Sequence, residues 1–342
     1  MDIQWISAYF CPTKILFVDD DQSYIGLLTP QLDIEFPLYE LYDDPAEAFK
    51  YLNENYKPYD FLEHIVLAPE GKKINRKRFD IDIQKIFMAI YNPARFSDIS
   101  VLVTDLNMPN HTGEELCKKL QGKLKSKKLM ITSESQEKLA IELLNRRIID
   151  QFIQKALSGI EQSAFIQSLS EAIQELRQDY FYDQSEMIIT RVLTEDDASP
   201  APLRDPEFIE IFNQILSKNK LCEYYLIDSS GSFLFLSSDG KPSYLLVRTK
   251  DNIQTASELI EDADFKVPGV LESIQKKEKI LYWNKEEDFP KNEQDLLAKL
   301  YPAQKAENFY YCYVDDQDIL QLDQSKIVSF NQFCLDEGYV GH

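Results

Sequence analysis

The sequence predicts two folded regions: an α/β region on a doubly wound parallel sheet, then an α+β region with an antiparallel sheet. Three observations predict this. In the first half, short and almost wholly apolar runs alternate with helical spacing, as expected for parallel strands covered by helices on both faces. Several of these runs end on an acid, a hydroxyl or an ammonium. In the second half, three strand-like runs joined by glycine-bearing turns precede most of the helices, the order of an antiparallel meander in an α+β fold.

Lys14–Val18 (KILFV) reads as a buried strand, followed by three acids and a helix from Ser23 to about Leu32. Leu38–Leu41 is a second strand, and Pro45–Asn55 has helical spacing with Ala46, Phe49 and Leu52 on one face. Ser100–Thr104 (SVLVT) is the third strand, Glu114–Leu120 a helix, Lys128–Ile131 (KLMI) the fourth strand and 136–147 a helix. Asp150–Gln154 (DQFIQ) is the fifth strand, and the last helix of this half runs from about Glu161 to Gln178. The segment 56–97 is too long for a helix-to-strand loop, and a hairpin around 65–78 and a helix over 83–91 are expected within it. It also holds a basic patch, Lys72, Lys73, Arg76, Lys77 and Arg78, read as a solvated turn, with a docking surface for an acidic partner or nucleic acid as the alternative.

The acidic, proline-bearing stretch 193–206 marks a domain boundary. The expected division is a first domain over 1–182 (core 13–180, insertion 56–97), a linker over 183–205 and a second domain over 206–342. That second domain begins with a helix at 206–219 and continues with runs 223–227, 232–237 and 244–248. Helices near 251–263, 267–277 and 292–300 then alternate with strands at 279–283 and 309–314. Its aromatic strand residues, among them Tyr224, Tyr225, Phe233, Phe235 and Phe309, are read as core.

Composition narrows the function. With 342 residues, 44% hydrophobic and 28% charged, the chain has an ordinary globular balance. No apolar run approaches a membrane span, so a cytoplasmic protein without a membrane partner is expected. The five cysteines show neither metal spacing nor a disulfide framework. A formal net charge of −21, concentrated in the second half, disfavours DNA binding, which relies on Lys and Arg at phosphates. Residues 206–342 hold one histidine, the terminal His342, and no phosphate-binding glycine loop, so no catalytic set is assigned there. An enzymatic or small-molecule-binding output is the alternative.

Chemistry concentrates at the strand ends. Asp19, Asp20 and Asp21 follow the first strand, Asp105 ends the third within VTDLNMPNHTG (103–113), Thr132 ends the fourth and Lys155 the fifth. In a doubly wound sheet, ligands sit at the carboxyl ends of the strands. One acid after a strand is usually a cap or turn residue; four strand ends delivering carboxylates, a hydroxyl and an ammonium together point to a site.

These residues resemble a known family, the receiver domain of two-component response regulators, over about 13–180. The carrying motifs are ILFVDD (15–20), TDLNMPNHTG (104–113), TS (132–133) and FIQK (152–155). The resemblance implies a flavodoxin-like, CheY-like sheet with Asp105 as phosphoacceptor from a histidine kinase. It implies Mg2+ held by Asp20, Asp105 and the backbone carbonyl of Asn107, with Asp19 acting through water. Lys155 would pair with a phosphoryl oxygen, Thr132 would bond another and Phe152 would be the aromatic switch. Asp21 is read as a capping acid. Asn107 and Glu134, two beyond Asp105 and Thr132, are a pairing the family associates with quick loss of the phosphoryl group. Ala156 stands where the family usually has proline, so the lysine loop is expected to depart from the family's. The run EYYLIDSSGSFLFLSSDGKPSYLLV (223–247) resembles the C-terminal region of Lqs-type quorum-sensing response regulators. The expected function is a response regulator whose phosphorylation controls homodimerisation or protein binding through the second domain.

Overall fold

In a computed structural model, the described residues are 5–61, 65–67, 80–109, 112–132, 136–155, 160–195, 202–263, 265–284, 286–315 and 317–339. The basic patch at 72–78, Ser133, Glu134 and Ala156 lie outside them. The chain folds into two compact units that are not continuous in sequence. One comprises Pro12–Asp60 and Pro93–Gln184; the other comprises Met1–Cys11, Phe61–Asn92 and Ser185–His342.

Strand β1 (Tyr9–Phe10) belongs to the second unit. The first unit runs through β2 (Lys14–Val18), α1 (Gln22–Leu28), β3 (Leu38–Tyr42) and α2 (Pro45–Lys50). A π-helical turn, Tyr51–Asn55, extends α2, so that the expected helix 45–55 is present in two geometries. In the second unit, β4 (Val66–Leu67) pairs antiparallel with β5 (Asp80–Ile81), and 3-10 turns at Ile83–Lys85 and Phe87–Tyr91 stand where a regular helix was expected. The first unit resumes with β6 (Ile99–Asp105), α3 (Gly113–Leu120), β7 (Lys127–Thr132), α4 (Glu137–Asn145), β8 (Gln151–Gln154) and the long helix α5 (Ile160–Glu195), whose residues from Ser185 onward belong to the second unit.

Strand order in the first unit is β3-β2-β6-β7-β8, and every pairing is parallel. Alternation along the strands separates two apolar layers. Ile15, Phe17, Val101, Val103, Leu129 and Ile131 meet α1 and α5 through Ile25, Leu28, Phe165, Leu169 and Ile173. Leu16, Val18, Leu102 and Met130 meet α2, α3 and α4 through Ala48, Leu116, Cys117, Leu120 and Leu143. Helices therefore cover both faces, and the loops carrying Asp19, Asp105 and Lys155 lie together at one end of the sheet.

The second unit continues with α6 (Pro206–Asn219), β9 (Leu221–Leu226), β10 (Phe233–Ser237), β11 (Pro242–Thr249), α7 (Lys250–Asp262) and α8 (Val270–Gln275). After β12 (Lys279–Leu281), α9 (Glu293–Ala298) and β13 (Leu300–Pro302) come β14 (Gln304–Lys305), β15 (Phe309–Val314) and α10 (Phe330–Asp336). Its main sheet is antiparallel, in the order β1-β9-β10-β11-β15-β14. Phe208 and Phe212 of α6 pack on Phe233, with Phe235 and Phe309 completing an aromatic core.

Two boundaries differ from the linear reading. The residues before Pro12 and most of the insertion join the second unit, because their partners lie far along the chain. Tyr9 pairs with Tyr225, Ile6 N–H donates to the Leu203 carbonyl at 3.1 Å, and Val328 N–H donates to Ile90 O at 3.2 Å. Helix α5 also continues to Glu195, through much of the expected linker, because Phe181, Ile188 and Ile189 extend its buried stripe. Among the described residues, no helix is long and apolar enough to cross a membrane.

At the opposite end of β6, Asp98 is buried and accepts hydrogen bonds from the hydroxyls of Tyr56 and Tyr180. Burial raises its carboxyl above the ordinary value, against the tyrosine hydroxyls, the Ile99 amide and the more distant Lys125. The folded state therefore holds the proton more tightly than the unfolded chain. This contribution to stability is full below the unfolded carboxylate pKa of ~4 and is lost as pH rises through the folded value. The wild-type stability advantage over Asp98→Asn is expected to shrink as pH rises above that range, measured by urea unfolding at several pH values; a pH-independent or growing difference would contradict it. Asp98→Ala, which strands both hydroxyls, is expected to cost about 1–3 kcal/mol.

Candidate functional site

Four parallel strands bring the predicted residues together. Val18 is level with Thr104, and Asp105 with Ile131, so that Asp19 and Asp105 emerge side by side at adjacent strand ends. Asp19 is buried, Asp20 exposed and Asp105 half-buried, and one carboxylate oxygen from each lies within 4.8 Å of the others. The Lys155 ammonium reaches back to this cluster, 3.1 Å from Asp19 Oδ2 and 3.2 Å from Asp105 Oδ2. Its backbone N–H donates to the Thr132 carbonyl at 2.8 Å, which ties the lysine to the end of β7.

Backbone donors complete the frame. Asp21 N–H donates to Asp19 Oδ1 at 2.9 Å, and Asn107 N–H to Asp105 Oδ1 at 3.3 Å. The Asn107 side-chain oxygen accepts from Gln136. Asp21 caps α1, its carboxylate accepting from Tyr24 N–H at 2.9 Å, in keeping with its reading as a capping acid. Thr132 is fully buried at the end of β7. Phe152 is partly buried and packs against the apolar layer beneath α2, α3 and α4.

The electrostatics follow from burial and proximity. Burial raises the Asp105 carboxyl above its ordinary value, Lys155 and the Asn107 amide pull it down, and Asp19 adds to the rise. On Lys155 burial disfavours the charge, but Asp105 and Asp19 together outweigh it and raise the ammonium. A lysine clamped between two carboxylates stays protonated.

The donor set suits a hard divalent cation. Three carboxylates converge, and oxygen ligands of this kind fit Mg2+. Asp19, Asp20 and Asp105 are the side chains that would hold it.

Two contributors were not singled out in the sequence. Tyr24 places its ring beside Lys155, the ammonium 4.1 Å from the ring centroid. Gly113 begins α3 against the back of Asp105: a β-carbon there would lie 2.2 Å from the Asp105 carbonyl oxygen and 2.9 Å from Thr104 Oγ1. The available signal was the Thr-Gly pair closing the 104–113 motif, where Thr112 caps the helix and Gly113 must approach backbone.

A 2-1-3-4-5 parallel sheet with carboxylates and a lysine gathered at its strand ends defines the receiver domain of response regulators. The likeness extends beyond that domain. The chain is similar to the Legionella pneumophila response regulator LqsR, at 28% identity and a TM-score of 0.77 over 97% of this chain and 96% of that one. The chain is a response regulator with a CheY-like receiver domain and a C-terminal antiparallel-sheet domain. The receiver domain of the Francisella response regulator 1452 also aligns, at 18% identity and a TM-score of 0.31 over 49% of this chain and 98% of that one. No protein-family model and no curated protein matches the sequence.

Gly113→Ala is expected to displace the Asp105 backbone and lower stability by about 1–3 kcal/mol, read by denaturant unfolding. Unchanged unfolding would show that the contact relaxes without cost.

Proposed function

We propose that this response regulator is switched by phosphorylation of Asp105, with a histidine kinase as phosphoryl donor. The observation that carries the reading is the Asp105 carboxylate held beside Asp19 and against the Lys155 ammonium. In the transfer, an Asp105 carboxylate oxygen attacks the phosphorus of a kinase phosphohistidine. A P–O bond forms, the P–N bond breaks, and the imidazole leaves with that electron pair. Charge spreads over the equatorial phosphoryl oxygens in transit, so fixed positive groups and donors are required. Lys155 trades its carboxylate contacts for a phosphoryl oxygen, and the Thr132 hydroxyl donates to another. Mg2+, which Asp20, Asp105 and the Asn107 carbonyl would hold with Asp19 acting through water, would supply further charge neutralisation when bound. Phe152 would respond to the Thr132 movement from the neighbouring strand, with which Thr132 is in register at Gln154.

The output is control of homodimerisation or protein binding through the acidic C-terminal domain, not DNA contact. The net charge of −21 supports this, and the likeness to LqsR supports a place in cell-density signalling. The receiver assists its own phosphoryl transfer and hydrolysis, and no separate enzyme activity is assigned to the second domain.

Acetyl phosphate with Mg2+ is expected to add one phosphoryl group by intact mass, lost in Asp105→Asn, together with a change in molar mass by light scattering. No gain in the wild type, with a kinase also inactive toward it, would overturn the reading. A gain without a mass change would move the output to a heterologous partner. The Asn107 and Glu134 pairing predicts a short-lived phosphoprotein; after the donor is removed, a phosphoryl group outlasting that of gene-regulating receivers would count against it.

A further inference from the structure

Lys155 is held from three sides. Two are the carboxylates of Asp19 and Asp105, at 3.1 and 3.2 Å. The third is the Tyr24 ring, with the ammonium 4.1 Å from its centroid. A cation over an aromatic face is attracted by the ring quadrupole, without any need for an ionised partner. This difference matters during the reaction. Phosphorylation consumes the Asp105 carboxylate, and a bound cation draws on Asp19, so both ionic contacts to Lys155 weaken when the lysine is needed. The ring contact does not.

We infer that Tyr24 is a positioning residue that keeps the Lys155 ammonium at the phosphoacceptor while its carboxylate contacts are exchanged for a phosphoryl oxygen. The inference rests on the reading of Asp105 as phosphoacceptor. The local sequence builds the arrangement. Asp21 caps α1 by accepting from the Tyr24 amide, which fixes the first turn and so the direction of the ring. The ring also packs against the apolar layer that contains Phe17, Ile25 and Phe165, which holds it in place. Burial raises the Tyr24 phenol above its ordinary value, so it meets the lysine as a neutral ring.

Two full-length variants separate the ring from the hydroxyl. Tyr24→Phe keeps the ring, and Tyr24→Leu replaces it with an aliphatic side chain. The first readout is the position of the Lys155 ε-proton signals in protein with 13C-labelled lysine, assigned by their loss in Lys155→Arg. They are expected to show a ring-current shift in the wild type and in Tyr24→Phe, and to lie at the ordinary lysine position in Tyr24→Leu. The second readout is the rate of phosphorylation by acetyl phosphate with Mg2+. Tyr24→Leu is expected to be about tenfold slower and Tyr24→Phe within about twofold of wild type. A Tyr24→Leu rate equal to wild type, or a Tyr24→Phe rate as slow as Tyr24→Leu, overturns the inference. The shift is read without a phosphoryl donor, so the two failures are distinguishable. A wild type lacking the shift overturns the role of Tyr24 alone. A wild type with the shift but no phosphoryl gain at Asp105 overturns the phosphoacceptor reading, and the positioning role with it.

Discussion

Three carboxylates brought within 4.8 Å of one another repel, and the receiver site depends on the ammonium of Lys155 to offset that repulsion. The lysine bonds two of the three, and its backbone is tied to the neighbouring strand through the Thr132 carbonyl. The parallel sheet makes this possible. Parallel strands end on the same side, so residues 19, 105, 132 and 155 arrive at one edge although up to 136 residues separate them. Burial of Asp19 and partial burial of Asp105 and Lys155 strengthen the ionic contacts between them.

Two buried charged side chains elsewhere are likewise compensated by hydrogen bonds. In the receiver, Asp98 is buried against the hydroxyls of Tyr56 and Tyr180. In the second unit, the Arg248 guanidinium is nearly inaccessible yet meets Asp228 at 3.1 Å, donates to the Val247, Leu281 and Trp283 carbonyls, and stacks over Tyr282. Asp228 in turn accepts from the amides of Ser230 and Ser232, which closes the β9–β10 turn. An unpaired charge at either position would carry the full desolvation penalty. These networks fix local geometry and leave the chemistry to the strand-end site.

Much of this was legible in the sequence because it depends on local pattern. Apolar runs of strand length, helical spacing and turn residues located all five receiver strands and the β9–β11 meander to within a few residues. Asp19, Asp20, Asp105 and Lys155 could be paired in advance because each ends a strand whose order the fold dictates. The role of Tyr24 was not legible: a tyrosine at helical spacing behind a capping acid reads as core, and only the approach of Lys155 from residues far downstream gives its ring a partner. Gly113 was visible as a motif letter, but its reason is the Asp105 carbonyl at its back.

The sequence by itself determined the receiver architecture, the identity of the acidic and basic groups and the antiparallel character of the second domain. These follow from periodicity and from residue chemistry along short stretches. Tertiary structure alone decided which segments share a core. Strand β1 and most of the 56–97 insertion join the second unit through pairings such as Tyr9 with Tyr225 and Ile90 with Val328. A two-residue strand carries too little pattern to name its partner. Its place is settled by the hydrogen bonds and apolar contacts it makes with the larger sheet.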